Sequence, residues 1–311
     1  MRIVSLLPSA TEIICEIGLG KFLVGVSHEC DYPVHVKNLP VVTESLIPKN
    51  ASSKDIDIEV RKQLRTDKAL YHLKMEVLKK LEPDFIITQS LCEVCAVAED
   101  EVLDAVCKLP GNAKIINLEP MTLQDVFDTL MLVGEETGFK QQSIDAVDAL
   151  KRRVQTVVER TEKSIQLQSK PDLVFLEWLD PPFNAGHWTP ELIEYAGATS
   201  LLSNKHKPST TIEWSSVVDV DPDVLFIACC GYDLERTLLD MHILSNKKEW
   251  NNLKSVKQNK VYLTDGNAYF SRPGPRLVDG LEIMANALHP EVHLLPSHLI
   301  GVTNYQEFIN G

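Results

Sequence analysis

One plan occurs twice in this chain, and that repetition limits what it can fold into. Residues 81–87, LEPDFII, are echoed by residues 220–228, VDPDVLFIA. Residues 114–118, KIINL, are echoed by residues 260–265, KVYLTD. Each apolar run is short enough for a buried strand and is bounded by proline, aspartate or glycine. Strands alternating with helices imply parallel sheets closed by right-handed crossovers. Two such series in tandem predict an α/β protein of two Rossmann-like lobes.

Local signals fill in the plan. RIVSLL at 2–7 reads as a strand, and Ser9 with Glu12 reads as a capping box for a helix that Gly18 stops. FLVGVS is the next strand, and Thr122 with Asp125 caps the helix after KIINL. DLVFLEW at 172–178 is a strand, and Thr189-Pro190-Glu191 opens a helix that ends at Gly197. A last helix is expected over 276–288. Ile144, Val147, Leu150, Val154, Val157, Val158 and Ile165 form a helical stripe. A helix over 140–168 would measure roughly 40 Å at 1.5 Å per residue. The domain plan is an N-terminal lobe over 1–139, this connecting helix, and a C-terminal lobe over 169–311.

Charge and chain start restrict partners and compartment. A net charge of −13 argues against nucleic acid and anionic membranes. No apolar run approaches the roughly 20 residues of a membrane span. MRIVSLLPSATE lacks the layout of a secretory signal, and the seven cysteines are odd in number and unevenly spaced. Both features point to the cytoplasm. A monomer that binds a small molecule is expected.

In parallel α/β sheets, ligands bind beyond the carboxyl ends of the strands. Those ends carry HECDYP, SLCEVC, LDPPFNAGHW, CCGYDLER and AYFSRPGPR. If the lobes face each other, all these loops line one cleft. Cys92 and Cys95 allow three readings: half of a structural zinc site, a redox pair, or thiols packed against a pocket. Cys92 or His187 can also offer a single contact to a metal carried by the ligand. Trp178, Phe183 and Trp188 supply rigid rings between prolines; Trp178 is either core or cleft, and Trp188 is expected to face the cleft. Trp214, Tyr269 and Phe270 add rings. Arg276 is expected to cap carbonyls or to pair with Asp279, leaving Arg272 to meet ligand. Asp180 and His187 lack an accompanying nucleophile, and no Gly-x-Ser-x-Gly, His-Glu-x-x-His or phosphate loop is present.

RIVSLLPSATEI, VGVSHECDYP, LEPDFII, LDPPFNAGHW, LIEYAGA and SRPGPR together resemble the vitamin B12-binding component of bacterial ABC importers. That component lies within the wider iron-complex and B12 substrate-binding family, and this chain is similar to its cytoplasmic-looking members. The resemblance implies the class III periplasmic-binding-protein fold, with ligand in the cleft. It implies ligand contacts from Asp31 and Tyr32 beside Pro33, from Phe183 after Pro181 and Pro182, from Trp214, and from Tyr269, Phe270 and Arg272. Glu29 stands where the B12 binder has a ring, and Gln89 where it has a tryptophan. Of the two surface glutamates that dock such proteins to a permease, the first lobe offers Glu76. The second lobe has Ser215 at that place, with Glu213 and Glu235 nearby. Permease docking is therefore unsupported by the sequence.

The expected function is non-enzymatic binding of a bulky, metal-bearing molecule such as cobalamin or a related corrinoid, with Cys30, Cys92 or His187 giving polar or axial contacts. The alternatives are a metal-dependent enzyme or metal-binding protein using His28, Cys30, Cys92, Cys95 and His187, and a ferric-chelate binder.

Overall fold

The structure, a computed structural model, describes residues 1–46, 52–66, 71–89, 102, 109, 112–165 and 169–310. Cys92 and Cys95 lie outside the described residues. The chain divides into two compact units. One comprises Met1–Pro120 and Gln124–Asp148, the other Met121–Leu123 and Ala149–Gly311.

In the N-terminal unit the strands are β1 (Ile3–Ser5), β2 (Leu23–Gly25), β3 (Thr43–Ser45), β4 (Tyr71–Leu73), β5 (Phe85–Thr88) and β6 (Lys114–Asn117). Strands β2-β1-β5-β6 form a wholly parallel sheet, with Ile3 opposite Phe85 and Ile86 opposite Ile115. β3 and β4 pair separately and antiparallel. Ile3, Val4, Ile86 and Ile87 are fully buried, as expected of strands covered on both faces.

The first helix, Pro8–Glu16, corrects the capping-box reading. Its N-cap is Leu7, no side chain caps it, and Ser9 and Glu12 are buried within it. Pro8 has its φ fixed for a first helical turn and gives up no needed N–H, so the helix starts one residue before Ser9 can cap it. Gly18, at φ 77°, ends that segment.

In the C-terminal unit the strands are β7 (Asp172–Leu179), β8 (Pro182–Asn184), β9 (Gly186–His187), β10 (Thr199–Leu201), β11 (Asn204–Lys205), β12 (Val224–Ile227), β13 (Val261–Leu263) and β14 (Thr303–Asn304). The main sheet runs β10-β7-β12-β13-β14, with β8 folded back on β7. β10, β7, β12 and β13 are parallel, whereas β8 and β14 join antiparallel. Phe175 and Phe226, opposite each other in register, stack at 5.5 Å. Phe270 closes on them at 5.2 and 5.7 Å. Fully burying rings of this size contributes about 1.5–3 kcal/mol each, so this triplet is a main anchor of the unit.

The long helix is Lys140–Ile165, and residues 166–168 are not among those described. Its Arg153 binds Asp279 at 2.5 Å and Glu282 at 2.7 Å on the helix Leu277–Leu288. This corrects the expected Arg276–Asp279 pair. Asp279 is taken from outside its own helix, and the Arg276 guanidinium lies 5.9 Å from the centre of the Tyr269 ring.

Candidate functional site

Each unit gathers chemically distinct residues at the carboxyl ends of its parallel strands. In the N-terminal unit the Thr11 hydroxyl donates to Ser5 Oγ at 2.8 Å and lies 3.1 Å from Cys30 Sγ. Cys30 is buried by this arrangement. His28 turns the other way. Its Nδ1 lies 2.7 Å from the buried Thr43 hydroxyl, and its ring meets Tyr71 edge-on at 4.9 Å. The Tyr71 hydroxyl donates to Glu29 at 2.8 Å. A ring thus stands beside Glu29, supplied by β4 from far along the chain. Asp31 is half-buried and Tyr32 exposed.

In the C-terminal unit three loops interlock. Trp178, at the end of β7, packs on Tyr232 from the loop after β12, with ring centres 4.8 Å apart. The Tyr232 carbonyl accepts from the Asn267 amide at 3.0 Å. Asn267 Oδ1 accepts from Arg272 at 2.9 Å. Phe183 sits on β8 across from Trp178 and is half-buried. His187 and Trp188 follow, their rings 5.2 Å apart. Trp188 Nε1 donates to the Phe270 carbonyl at 2.9 Å.

This geometry sorts the candidate residues. Trp178, Phe183, Tyr269 and Arg272 lie at or after strand ends of one sheet with Tyr232, whereas His187 lies on β9 in the separate two-stranded sheet with β11. Trp188 and Phe270 are buried, so the expectation that Trp188 faces a cleft is corrected. An indole N–H that finds a carbonyl inside the protein favours burial of the whole ring. Arg272 is also buried, with its head group held by Asn267. Trp214 belongs to a different group: it stacks on Trp250 at 6.3 Å, and Trp250 meets Tyr305 at 5.9 Å. Glu76 is exposed beside Lys79.

The sequence reading missed Tyr71, Tyr232 and Glu177. Tyr232 lay within a loop already singled out, and Glu177 was an acid at the end of an otherwise apolar strand. The Gly186 amide donates to Glu177 at 2.9 Å, and the hydroxyls of Ser209 and Thr189 bond the same carboxyl. Burial pushes that carboxyl up to about 7, against the pull of these donors.

His187 holds φ at 51°, a left-handed conformation costly to most side chains. Its amide donates to Lys207 at 2.7 Å and its carbonyl accepts from His206 at 3.1 Å, which maintains the turn. Burial holds the His187 imidazole below its ordinary pKa and so neutral. Among the described residues, no group of three or more His, Cys, Asp and Glu can hold a metal ion. His28 contacts Thr43 and Cys30 contacts Thr11, and Cys92 and Cys95 of the metal cluster considered from sequence lie outside the described residues.

Two α/β units with parallel sheets, traversed by one long helix, define the class III periplasmic-binding-protein fold. The chain belongs to the periplasmic binding protein family, whose model matches residues 3–268, and it is a substrate-binding protein of that kind. It is 22% identical over 304 residues to an uncharacterized ABC transporter substrate-binding lipoprotein of Bacillus subtilis, covering 93% of this chain and 80% of the relative. It is 23% identical over 288 residues to a vitamin B12-binding protein of Vibrio cholerae, covering 90% and 86%. Among solved structures, a periplasmic heme binding protein of Pseudomonas aeruginosa superposes with TM-score 0.73 at 18% identity, covering 97% of each chain. A Fe3+-hydroxamate transport protein of Saccharomonospora viridis superposes with TM-score 0.65 at 16% identity, covering 92% of each.

The family overturns the cytoplasmic expectation. Its members are periplasmic binding proteins, and the Bacillus relative is a lipoprotein, so the family works outside the cytoplasm. Unpaired cysteines do not demand a reducing compartment when they are shielded. Burial pushes the Cys15 thiol up to about 11 and raises that of Cys229 as well, which keeps both protonated and unreactive. No helix among the described residues is long and apolar enough to cross a membrane.

Proposed function

We propose that this protein captures a bulky, metal-bearing small molecule, a corrinoid or a ferric chelate, and hands it to an ABC permease. The observation that carries the reading is the interlocked aromatic strand end of the C-terminal unit, where Trp178 packs on Tyr232 and stands across from Phe183. Rings held by packing lose little entropy on meeting a flat macrocycle or a chelate shell. The neutral His187 imidazole carries a lone pair suited to a metal at the ligand's centre. A relative that binds vitamin B12, and structural neighbours that bind heme or belong to an Fe3+-hydroxamate transport system, support this ligand range. The Bacillus relative's role as an ABC transporter substrate-binding protein supports a permease partner, despite the single glutamate that the sequence offered.

Titration with hydroxocobalamin, hemin and a ferric trihydroxamate, followed by tryptophan fluorescence, tests the proposal. Saturable quenching at micromolar or lower concentration by one of the three supports it. Absence of saturation by all three at 100-fold higher concentration, on the order of 2.7 kcal/mol weaker, refutes it.

A further inference from the structure

We propose that Glu177 is the positioning residue of the binding loop Asp180–Trp188, which it holds ready before ligand arrives. The inference rests on the proposed function for its purpose and on the hydrogen-bond geometry around Glu177 for its substance.

Three parts of the C-terminal unit converge on this one carboxyl. It accepts from the Gly186 amide on β9 at 2.9 Å and bonds the Ser209 hydroxyl from the loop after β11. It also bonds the hydroxyl of Thr189, the first residue of the helix Thr189–Tyr195. Gly186 is packed so closely that a Cβ there would run into the Ser209 backbone. A second clamp lies beside the first: buried Asn184 donates to the Leu202 carbonyl at 2.6 Å and accepts from the Thr210 amide at 2.7 Å. Phe183 and His187, with its left-handed backbone, are carried between and beside these ties. A backbone conformation of that kind persists only where its surroundings fix it; the bonds with Lys207 and His206 hold the His187 turn, and Glu177 fixes the preceding residue, Gly186.

The same site makes the loop sensitive to protons. The groups around the carboxyl are one amide and two hydroxyls, and no charged partner offsets its burial among the contributions that set its titration. Burial lifts its pKa to about 7 in the closed arrangement, whereas a hydrated carboxyl titrates near 4.3. Closing the loop therefore takes up a proton between these two values. The closed form is favoured fully below the lower value and loses that advantage as pH rises through the higher one.

Hydrogen exchange of the ligand-free full chain, corrected for intrinsic exchange rates, tests this for the peptide spanning residues 180–188. Wild-type protection should fall by roughly 10-fold or more between pH 5.5 and 8. Glu177→Gln keeps an amide oxygen for Gly186 but cannot ionise, so its protection should be high and flat with pH. Glu177→Ala should lose at least 10-fold of protection at pH 6. If Glu177→Gln follows the wild-type pH course, or wild-type protection is flat, the proposal is overturned. An unfolded Glu177→Ala leaves that Gln comparison decisive. Hydroxocobalamin and hemin titrations of the same variants address purpose separately. Failure of either to bind wild type counts against the proposed ligands, while the exchange result stands on its own.

Discussion

The two units solve one problem with different chemistry. At its strand ends the N-terminal unit places small hydroxyls and a thiol, with Thr11 in short contact with Ser5 and Cys30 and Thr43 bonded separately to His28. The C-terminal unit places rings at its own, tied by backbone carbonyls and a buried carboxyl. Hydroxyl networks contribute about 1 kcal/mol per bond, whereas a buried tryptophan contributes several. The contrast teaches that the second unit's strand end, where binding is proposed, is also part of its structural core, so damage to it should cost more.

Truncating Trp188 should have the largest effect. Trp188→Ala removes a buried ring and orphans the Phe270 carbonyl, and should cost about 3–5 kcal/mol in the urea unfolding of the C-terminal unit. A loss under about 1 kcal/mol would erase the contrast between the units. Trp178→Ala should act on binding instead. The half-buried ring should reduce affinity for the bound ligand by 10-fold or more, about 1.4 kcal/mol, with smaller loss of stability. Equal affinity would remove Trp178 from the site.

Thr11→Val offers the matching experiment in the N-terminal unit. It breaks the Ser5 and Cys30 contacts and should cost about 1 kcal/mol by the same unfolding measurement. A cost as large as that of Trp188→Ala would overturn the ranking.

The smallest expected effect is acid sensitivity at the far end of the long helix. His293 Nε2 lies 2.9 Å from Thr161 Oγ1, and His289 Nδ1 lies 3.2 Å from Ser164 Oγ. Glu291 accepts from Ser164 at 2.9 Å, and Arg160 adds repulsion against a charged His293. Burial lowers both histidine pKa values. Their contribution is complete above the ordinary value near 6.5 and is lost as pH falls through the lower folded values. His293→Gln should flatten this loss between pH 7 and 5, read as a smaller pH dependence of the urea midpoint. An unchanged pH profile would exclude His293 as its source.

Much of this architecture was legible in the order of residues. The buried runs IVS, FIIT, VLFI and VYL fall where apolar patterning put strands, because a strand covered on both faces must be continuously apolar. Gly18 and Gly197 stop their helices with φ of 77° and 89°, as glycine alone does without strain. The short strands β8, β9, β11 and β14 were not legible. Two or three residues carry no period, and their pairing depends on partners such as Lys207 for β9 and Tyr262 for β14 that lie elsewhere in the chain.

The candidate site was legible only in part. Sequence placed His187, Trp178, Phe183 and Tyr269 in loops at strand ends, because parallel topology directs such loops to one end of a sheet. The order of residues thus determined the doubled α/β plan and the chemistry each loop brings. Tertiary structure alone decided that Trp188 turns inward to the Phe270 carbonyl, that Arg153 rather than Arg276 takes Asp279, and that Glu177 gathers Gly186, Ser209 and Thr189. The reason is that a polar group's partner is chosen by proximity in the folded chain, where burial makes an unmet hydrogen bond costly, and no local pattern records that distance.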